Sequence, residues 1–185
     1  MIKELLSETE ARMKKTLDAL EEDFRSIRTG RASPALLDRV MVDYYGTATP
    51  LKQLAVISAP EPNMLLVRPY DPSSIADIEK GIMQADLGLN PNNDGRLIRL
   101  PIPRLTEERR RELVKVVNRR MEEGKVALRN IRRDALEDLR EYEDEKLISE
   151  DEFRRGQDKL QDITDRYVEK IDTLGERKEA EIMEI

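Results

Sequence analysis

The chain of 185 residues contains no histidine, no cysteine and no tryptophan. Without histidine there is no imidazole base, no Ser-His-Asp triad and no His-ligated zinc. Without cysteine there is no thiolate nucleophile, no Cys-ligated metal and no disulfide framework. Carboxylate, Lys, Ser, Thr and Tyr chemistry remains open, and neither a cofactor nor a metal is expected. Aromatic residues make up only 4% of the chain, which excludes a broad core of large rings and leaves few platforms for stacking single-stranded bases. No apolar run exceeds four residues, as in Met64 to Val67, far short of the ~20 that a membrane-spanning helix needs. The start, Met1-Ile2-Lys3-Glu4, has neither the apolar stretch of a signal peptide nor the Arg-rich character of an organellar presequence. A cytosolic protein with no membrane contact is expected.

What the chain has in abundance is charge, with 33 Lys plus Arg against 39 Asp plus Glu and a formal net of -6. Such a composition suits long helices that bury one stripe and solvate the rest, and apolar residues placed periodically argue against disorder. Leu6, Met13, Leu17, Leu20, Phe24 and Ile27 are separated by 7, 4, 3, 4 and 3 positions, which predicts one helix over residues 3–29. Gly30 and Ser33-Pro34 form its stop signal. A second seam follows Pro101 and Pro103, with Thr106 as cap and Val117, Met121, Gly124, Leu128, Ile131, Ala135 and Tyr142 facing inward, ending near Glu145. A third begins at a capping box of Ser149 and Glu152, flanked by the hydrophobic staple of Ile148 and Phe153. It continues through Leu160, Ile163, Tyr167, Ile171 and Leu174, and its turns from Glu176 to Glu184 are expected to fray. None of the three could bury its stripe alone, so an elongated three-helix bundle is predicted.

Between the first and second helices the period changes. Val40 to Tyr45, Leu54 to Ser58, Met64 to Pro69 and Arg96 to Leu100 read as strands, Asp71-Pro72 opens a short helix to about Gln84, and residues 90–95 read as a turn. The fold class is therefore α+β and mainly helical. A discontinuous bundle of residues 1–30 and 105–185 carries a small inserted domain of residues 31–104. Two chain crossings join them, at Gly30, Arg31, Ala32, Ser33 and Pro34 and at Pro103, Arg104, Leu105 and Thr106, and a pair of crossings defines a hinge axis.

Charge is distributed unevenly. Residues 1–30, 31–103, 104–133 and 134–185 carry nets of -1, -1, +6 and -10. The basic stretch falls on the second long helix, where Lys125, Arg129, Arg132 and Arg133 project from one side. Arg109, Arg110 and Arg111 cluster at its start, with Arg28 and Arg31 near the hinge. A solvated face of i,i+4 pairs is the ordinary explanation. Against it, Arg132 and Arg133 meet acids only at Asp134 and Glu137, and cations at a helix start oppose the dipole unless a partner offsets them. A phosphate backbone is such a partner, because the planar guanidinium fits phosphate oxygens. The scarcity of stacking residues favours structured RNA or duplex backbone. Asn90, Asn92, Asp94 and Gly95 resemble half a calcium loop, but the twelfth position is Pro101, so a turn is the better reading. No GxxxxGK[ST] or GxGxxG sequence is present.

Several ordered motifs, Ile27-Arg28-Thr29-Gly30-Arg31-Ala32-Ser33-Pro34, Val42-Asp43-Tyr44-Tyr45-Gly46, Asp86-Leu87-Gly88-Leu89-Asn90-Pro91, Leu105-Thr106-Glu107-Glu108-Arg109-Arg110 and Arg129-Asn130-Ile131-Arg132-Arg133-Asp134, resemble the ribosome recycling factor family. The third helix matches mainly in length and at Ile148-Ser149-Glu150-Asp151. The resemblance implies an L-shaped protein of two domains, a three-helix bundle and a β/α/β domain joined by the hinge. It implies a non-enzymatic factor, bacterial in type, that acts after termination. Such a factor binds large-subunit ribosomal RNA across the A and P sites and, with elongation factor G and GTP, splits the ribosome and releases messenger and deacylated transfer RNA. Arg129, Arg132 and Arg133 would contact that RNA, with Lys125, Arg110, Arg28 and Arg31 as further candidates, and the chain is expected to act as a monomer. The rival reading is a helical coiled-coil adaptor or holdase chaperone using its seams for protein contacts. A carboxylate hydrolase has no locatable site.

Overall fold

The computed structural model describes residues 1–184. Contacts divide them into two compact units, one of residues 1–28 and 107–184 and the other of Thr29–Thr106. The first is a bundle of α1 (Ile2–Ser26), α4 (Glu107–Asp144) and α5 (Glu150–Met183), each packed on the other two. The second holds a hairpin of β1 (Met41–Tyr44) and β2 (Thr47–Pro50), the short α2 (Leu51–Leu54), strands β3 (Ala55–Glu61) and β4 (Met64–Pro69), α3 (Ile75–Gln84), and strands β5 (Asn92–Asn93) and β6 (Ile98–Pro101). The four-stranded sheet has the order β3-β4-β6-β5 and is antiparallel throughout.

Met13, Leu20 and Phe24 of α1 meet Val117, Leu128, Ala135 and Leu139 of α4 and Leu160, Tyr167 and Ile171 of α5 in the buried interior of the bundle. Each fully buried aliphatic side chain contributes ~1.5–3 kcal/mol relative to exposure. Gly124 lets α4 approach its neighbours: a Cβ there would lie 3.2 Å from Ile171 Cδ1 and 3.5 Å from Leu20 Cδ2. Two threonines that the apolar pattern omits, Thr9 and Thr164, are buried as well. Their hydroxyls donate to the carbonyls of Leu5 and Leu160 at 2.7 and 2.8 Å, so neither enters the core with an unmet donor.

Several element boundaries differ from the sequence pattern. Helix α1 ends at Ser26, three residues short of Thr29, because Ile27 is extended (φ -79°, ψ 115°) and the Ser26 hydroxyl donates to Asp23 O at 2.6 Å. Leu17, Ile27, Met121, Tyr142, Phe153 and Leu174 are only half-buried. The end of α5 does not fray: it is helical to Met183, and Ile182 is fully buried, continuing the stripe of Ile171, Gly175 and Lys178 in steps of 4, 3 and 4. Its start is the expected capping box, with Glu152 N–H donating to Ser149 Oγ at 3.1 Å and Ser149 N–H to Glu152 Oε2 at 2.7 Å.

In the smaller unit Leu54 ends a helical turn rather than opening a strand, and Asn92–Asn93 form a short strand inside the expected turn. Strand β2 follows from the two residues before it: Tyr45 (φ 48°) and Gly46 (φ 81°) are both left-handed, the requirement of a type I′ turn, and Tyr44 pairs with Thr47. Asp71 caps as expected, its carboxylate accepting from Ser73 N–H at 3.0 Å, but a 3-10 turn, Pro72–Ser74, precedes α3. Leu37, Val42, Leu51, Leu65, Val67, Ile78, Ile98 and Leu100 fill this unit's core.

Candidate nucleic-acid interface

With 3.6 residues per turn, Arg129, Arg132 and Arg133 fall within an arc of about 100° on α4, beside and behind the stripe of Gly124, Leu128, Ile131 and Ala135 that faces the bundle. Arg129 and Arg133 are exposed and form no ion pair among the described residues. For Arg129 the reason is local. One turn before Arg129 stands Lys125 and one turn after it Arg133, so neither direction along the helix offers Arg129 an acid. The adjacent carboxylate, Asp134, points elsewhere: its Oδ2 accepts from Arg12 Nη2 of α1 at 3.2 Å. Arg132 is half-buried and donates from Nη1 to Gln161 Oε1 of α5 at 2.8 Å, a neutral partner that leaves its charge uncompensated.

Lys125, unlike Arg129 and Arg133, is paired within the bundle. Its Nζ lies 2.6 Å from Asp172 Oδ1 of α5 and 3.8 Å from Glu122, and its side chain is 18% exposed, so its charge ties α4 to α5. The cluster at the start of α4 is also partnered. Arg109 pairs with Glu112 at 2.9 Å and Arg111 with Glu107 at 2.7 Å, which offsets the expected conflict with the helix dipole from within the helix. Between them Arg110 is half-buried, with an Nε that is buried and has no hydrogen-bond partner among the described residues. It lies about 28 Å along the helix from Arg129, at ~1.5 Å per residue, so the two do not share a site of single-phosphate size. Arg28 is exposed beyond the end of α1, and Arg31 is exposed in the other unit.

The two crossing segments are anchored to one turn of the smaller unit. Ala32 N–H donates to Pro62 O at 2.6 Å and Ile102 N–H to Asn63 O at 2.7 Å. Gly30 (φ 74°) lets them run side by side, since a Cβ there would lie 3.3 Å from Leu105 Cγ and 3.4 Å from Pro103 O. Ser33 Oγ accepts from Ala35 N–H at 3.3 Å ahead of the 3-10 turn that Pro34 opens. Arg104 and Thr106 are exposed on the returning segment. No group of three or more His, Cys, Asp or Glu side chains among the described residues is arranged to hold a metal, and no helix there is long and apolar enough to cross a membrane.

The family model described as Ribosome recycling factor matches residues 20–183. The ribosome-recycling factor of Roseiflexus castenholzii is 58% identical and that of Syntrophomonas wolfei 57% identical, each over 185 residues covering 100% of both chains. A solution structure of the ribosome recycling factor aligns with a TM-score of 0.76 at 42% identity, covering 100% of this chain and 98% of that one. A further match, with a TM-score of 0.63 and 48% identity over 99% of each chain, is to models for the T. thermophilus ribosome recycling factor and the E. coli elongation factor G bound to the E. coli post-termination complex.

Proposed function

The chain belongs to the ribosome recycling factor family, and from that premise we propose that it disassembles post-termination ribosomes together with elongation factor G and GTP. The bundle binds large-subunit ribosomal RNA across the A and P sites through the outer face of α4. The observation that carries this is the trio of exposed Arg129 and Arg133 and half-buried Arg132, which form no ion pair among the described residues of a chain whose net charge is -6. Phosphate oxygens are the partners these guanidinium groups lack, and their neutralisation releases counterions, so binding weakens steeply as salt rises. Arg110 and Arg28 are further candidates for RNA contact on the bundle, and Arg31 is a separate candidate within the smaller unit.

The factor makes and breaks no covalent bond of its own. Elongation factor G supplies the work of GTP hydrolysis, and the paired crossings, Gly30 to Pro34 and Pro103 to Thr106, act as the hinge that lets the smaller unit swing while the bundle stays on RNA. Splitting then frees messenger and deacylated transfer RNA in the cytoplasm. An adaptor or holdase would need apolar seams open to clients, but Met13, Val117, Leu128 and Ile171 are fully buried in their own bundle. The test is a gradient analysis of post-termination complexes incubated with the protein, elongation factor G and GTP. Free subunits are expected to accumulate; an unchanged ribosome peak would refute the proposal.

A further inference from the structure

Arg132 differs from Arg129 and Arg133 in being held by a second helix. Its Nη1 donates to Oε1 of Gln161 at 2.8 Å, and Nε2 of Gln161 donates to Oδ1 of Asp165, one turn further along α5, also at 2.8 Å. An amide can present either end to a neighbour. The Oδ1 of Asp165 accepts from the NH2 end, which leaves the oxygen, the end that a guanidinium needs, facing Arg132. We propose that Gln161, oriented by Asp165, is a positioning residue that presents the Arg132 guanidinium to an RNA phosphate; this rests on the RNA-binding reading of the α4 face.

The choice of an amide at position 161 follows from what the contact must not do. A guanidinium has five N–H donors, and Gln161 occupies one, which leaves the others for phosphate oxygens. Because the amide is neutral, it fixes the long side chain without cancelling the charge on which counterion release depends. A carboxylate at the same place would hold Arg132 equally well but would neutralise it. Holding Arg132 in place before binding removes part of the ordering cost of a flexible side chain, an advantage of roughly two- to tenfold in affinity. Neither Arg129 nor Arg133 has such a restraint among the described residues, so the preorganised member of the trio is Arg132.

The experiment measures binding of the full-length protein to isolated large ribosomal subunits over a range of salt concentrations, for wild type, Gln161→Ala, Arg132→Ala and the double variant, with Gln161→Glu alongside. Gln161→Ala is expected to weaken binding roughly two- to tenfold with an unchanged salt slope, and to have no further effect when Arg132 is already Ala. Gln161→Glu is expected to weaken binding more and to reduce the salt slope by about one, as the loss of one phosphate contact would. If Gln161→Ala weakens both backgrounds equally, its role is general to the helix pair and the proposal is wrong. If Arg132→Ala weakens binding while Gln161→Ala does not, the proposal is also wrong, but the RNA-binding face stands. Wild-type binding by Arg132→Ala would overturn both.

Discussion

Two arginine clusters lie on α4, and the helix treats them in opposite ways. At its start, Arg109 and Arg111 have acids at i+3 and i-4 and are paired with them; near its middle, Arg129 and Arg133 have basic or neutral residues at most of the same offsets and are paired with nothing described. Residue type and helix are the same. For Arg129 what separates an available side chain from a self-satisfied one is the identity of the neighbours one turn away, and Asp134 is taken by a competing arginine on another helix; Arg133 forms no ion pair among the described residues although Glu137 stands one turn on.

The most direct way to break this contrast is to remove each cluster in turn. Arg129→Ala with Arg133→Ala is expected to lower affinity for large subunits by at least about tenfold and the salt slope by about two. Arg109→Ala with Arg111→Ala should change affinity by less than about threefold, since exposed pairs already occupied contribute little. Equal losses in the two binding titrations would dissolve the distinction. A gain-of-function version sharpens it: Glu107→Gln with Glu112→Gln removes the ion pairs Arg111–Glu107 and Arg109–Glu112, and the salt slope should steepen by about one. An unaltered slope would show that position along the helix, rather than pairing, decides which arginines bind.

A smaller effect concerns stability. Lys125 belongs to the basic stripe by sequence but to the α4–α5 contact by geometry, so Lys125→Ala should cost about 1 kcal/mol in urea unfolding and leave subunit affinity nearly unchanged. The reverse result would return it to the binding face. The smallest effect is a pH signature at the start of α5, where acids rather than arginines occupy the first turn. The backbone N–H of Ser149 holds the Glu152 carboxyl below its ordinary value, and the Ser149 side chain adds to this. A depressed value means that the stabilisation is present above the ordinary Glu value of 4.5 and is lost as pH falls through the lowered one. Acid unfolding of Glu152→Gln should therefore show a shallower pH dependence than wild type in that range; superimposable curves would argue against the linkage.

Much of the bundle was legible in the residues because its signals are local. The capping box at Ser149, the start of α4 after Thr106 and the seam through Val117, Leu128 and Ile131 follow from i,i+3 and i,i+4 spacing. The end of α5 was not, because Glu176 to Glu184 is mostly polar by composition, and the burial of Lys178 and Ile182 against the bundle is a tertiary feature. In the smaller unit, β2 and β5 are too short and too polar for alternation to reveal. The Tyr45-Gly46 turn was the available signal for β2: two left-handed residues closing a hairpin require a return strand.

The sequence by itself determined the exclusion of His and Cys chemistry, the helical seams and the concentration of positive charge between residues 104 and 133. The partners of the first arginine cluster lie within one turn of it in the sequence, but the structure is what showed them paired, where the sequence had pointed to an outside anion. Only the tertiary structure decided that Lys125 is tied to Asp172, that Asp134 turns to Arg12, and that Gln161 holds Arg132. These partners are 47, 122 and 29 positions apart in the chain. Spacing on one helix determines which side chains share a face, whereas pairing between helices depends on how their faces meet across the core, and local periodicity carries no information about that.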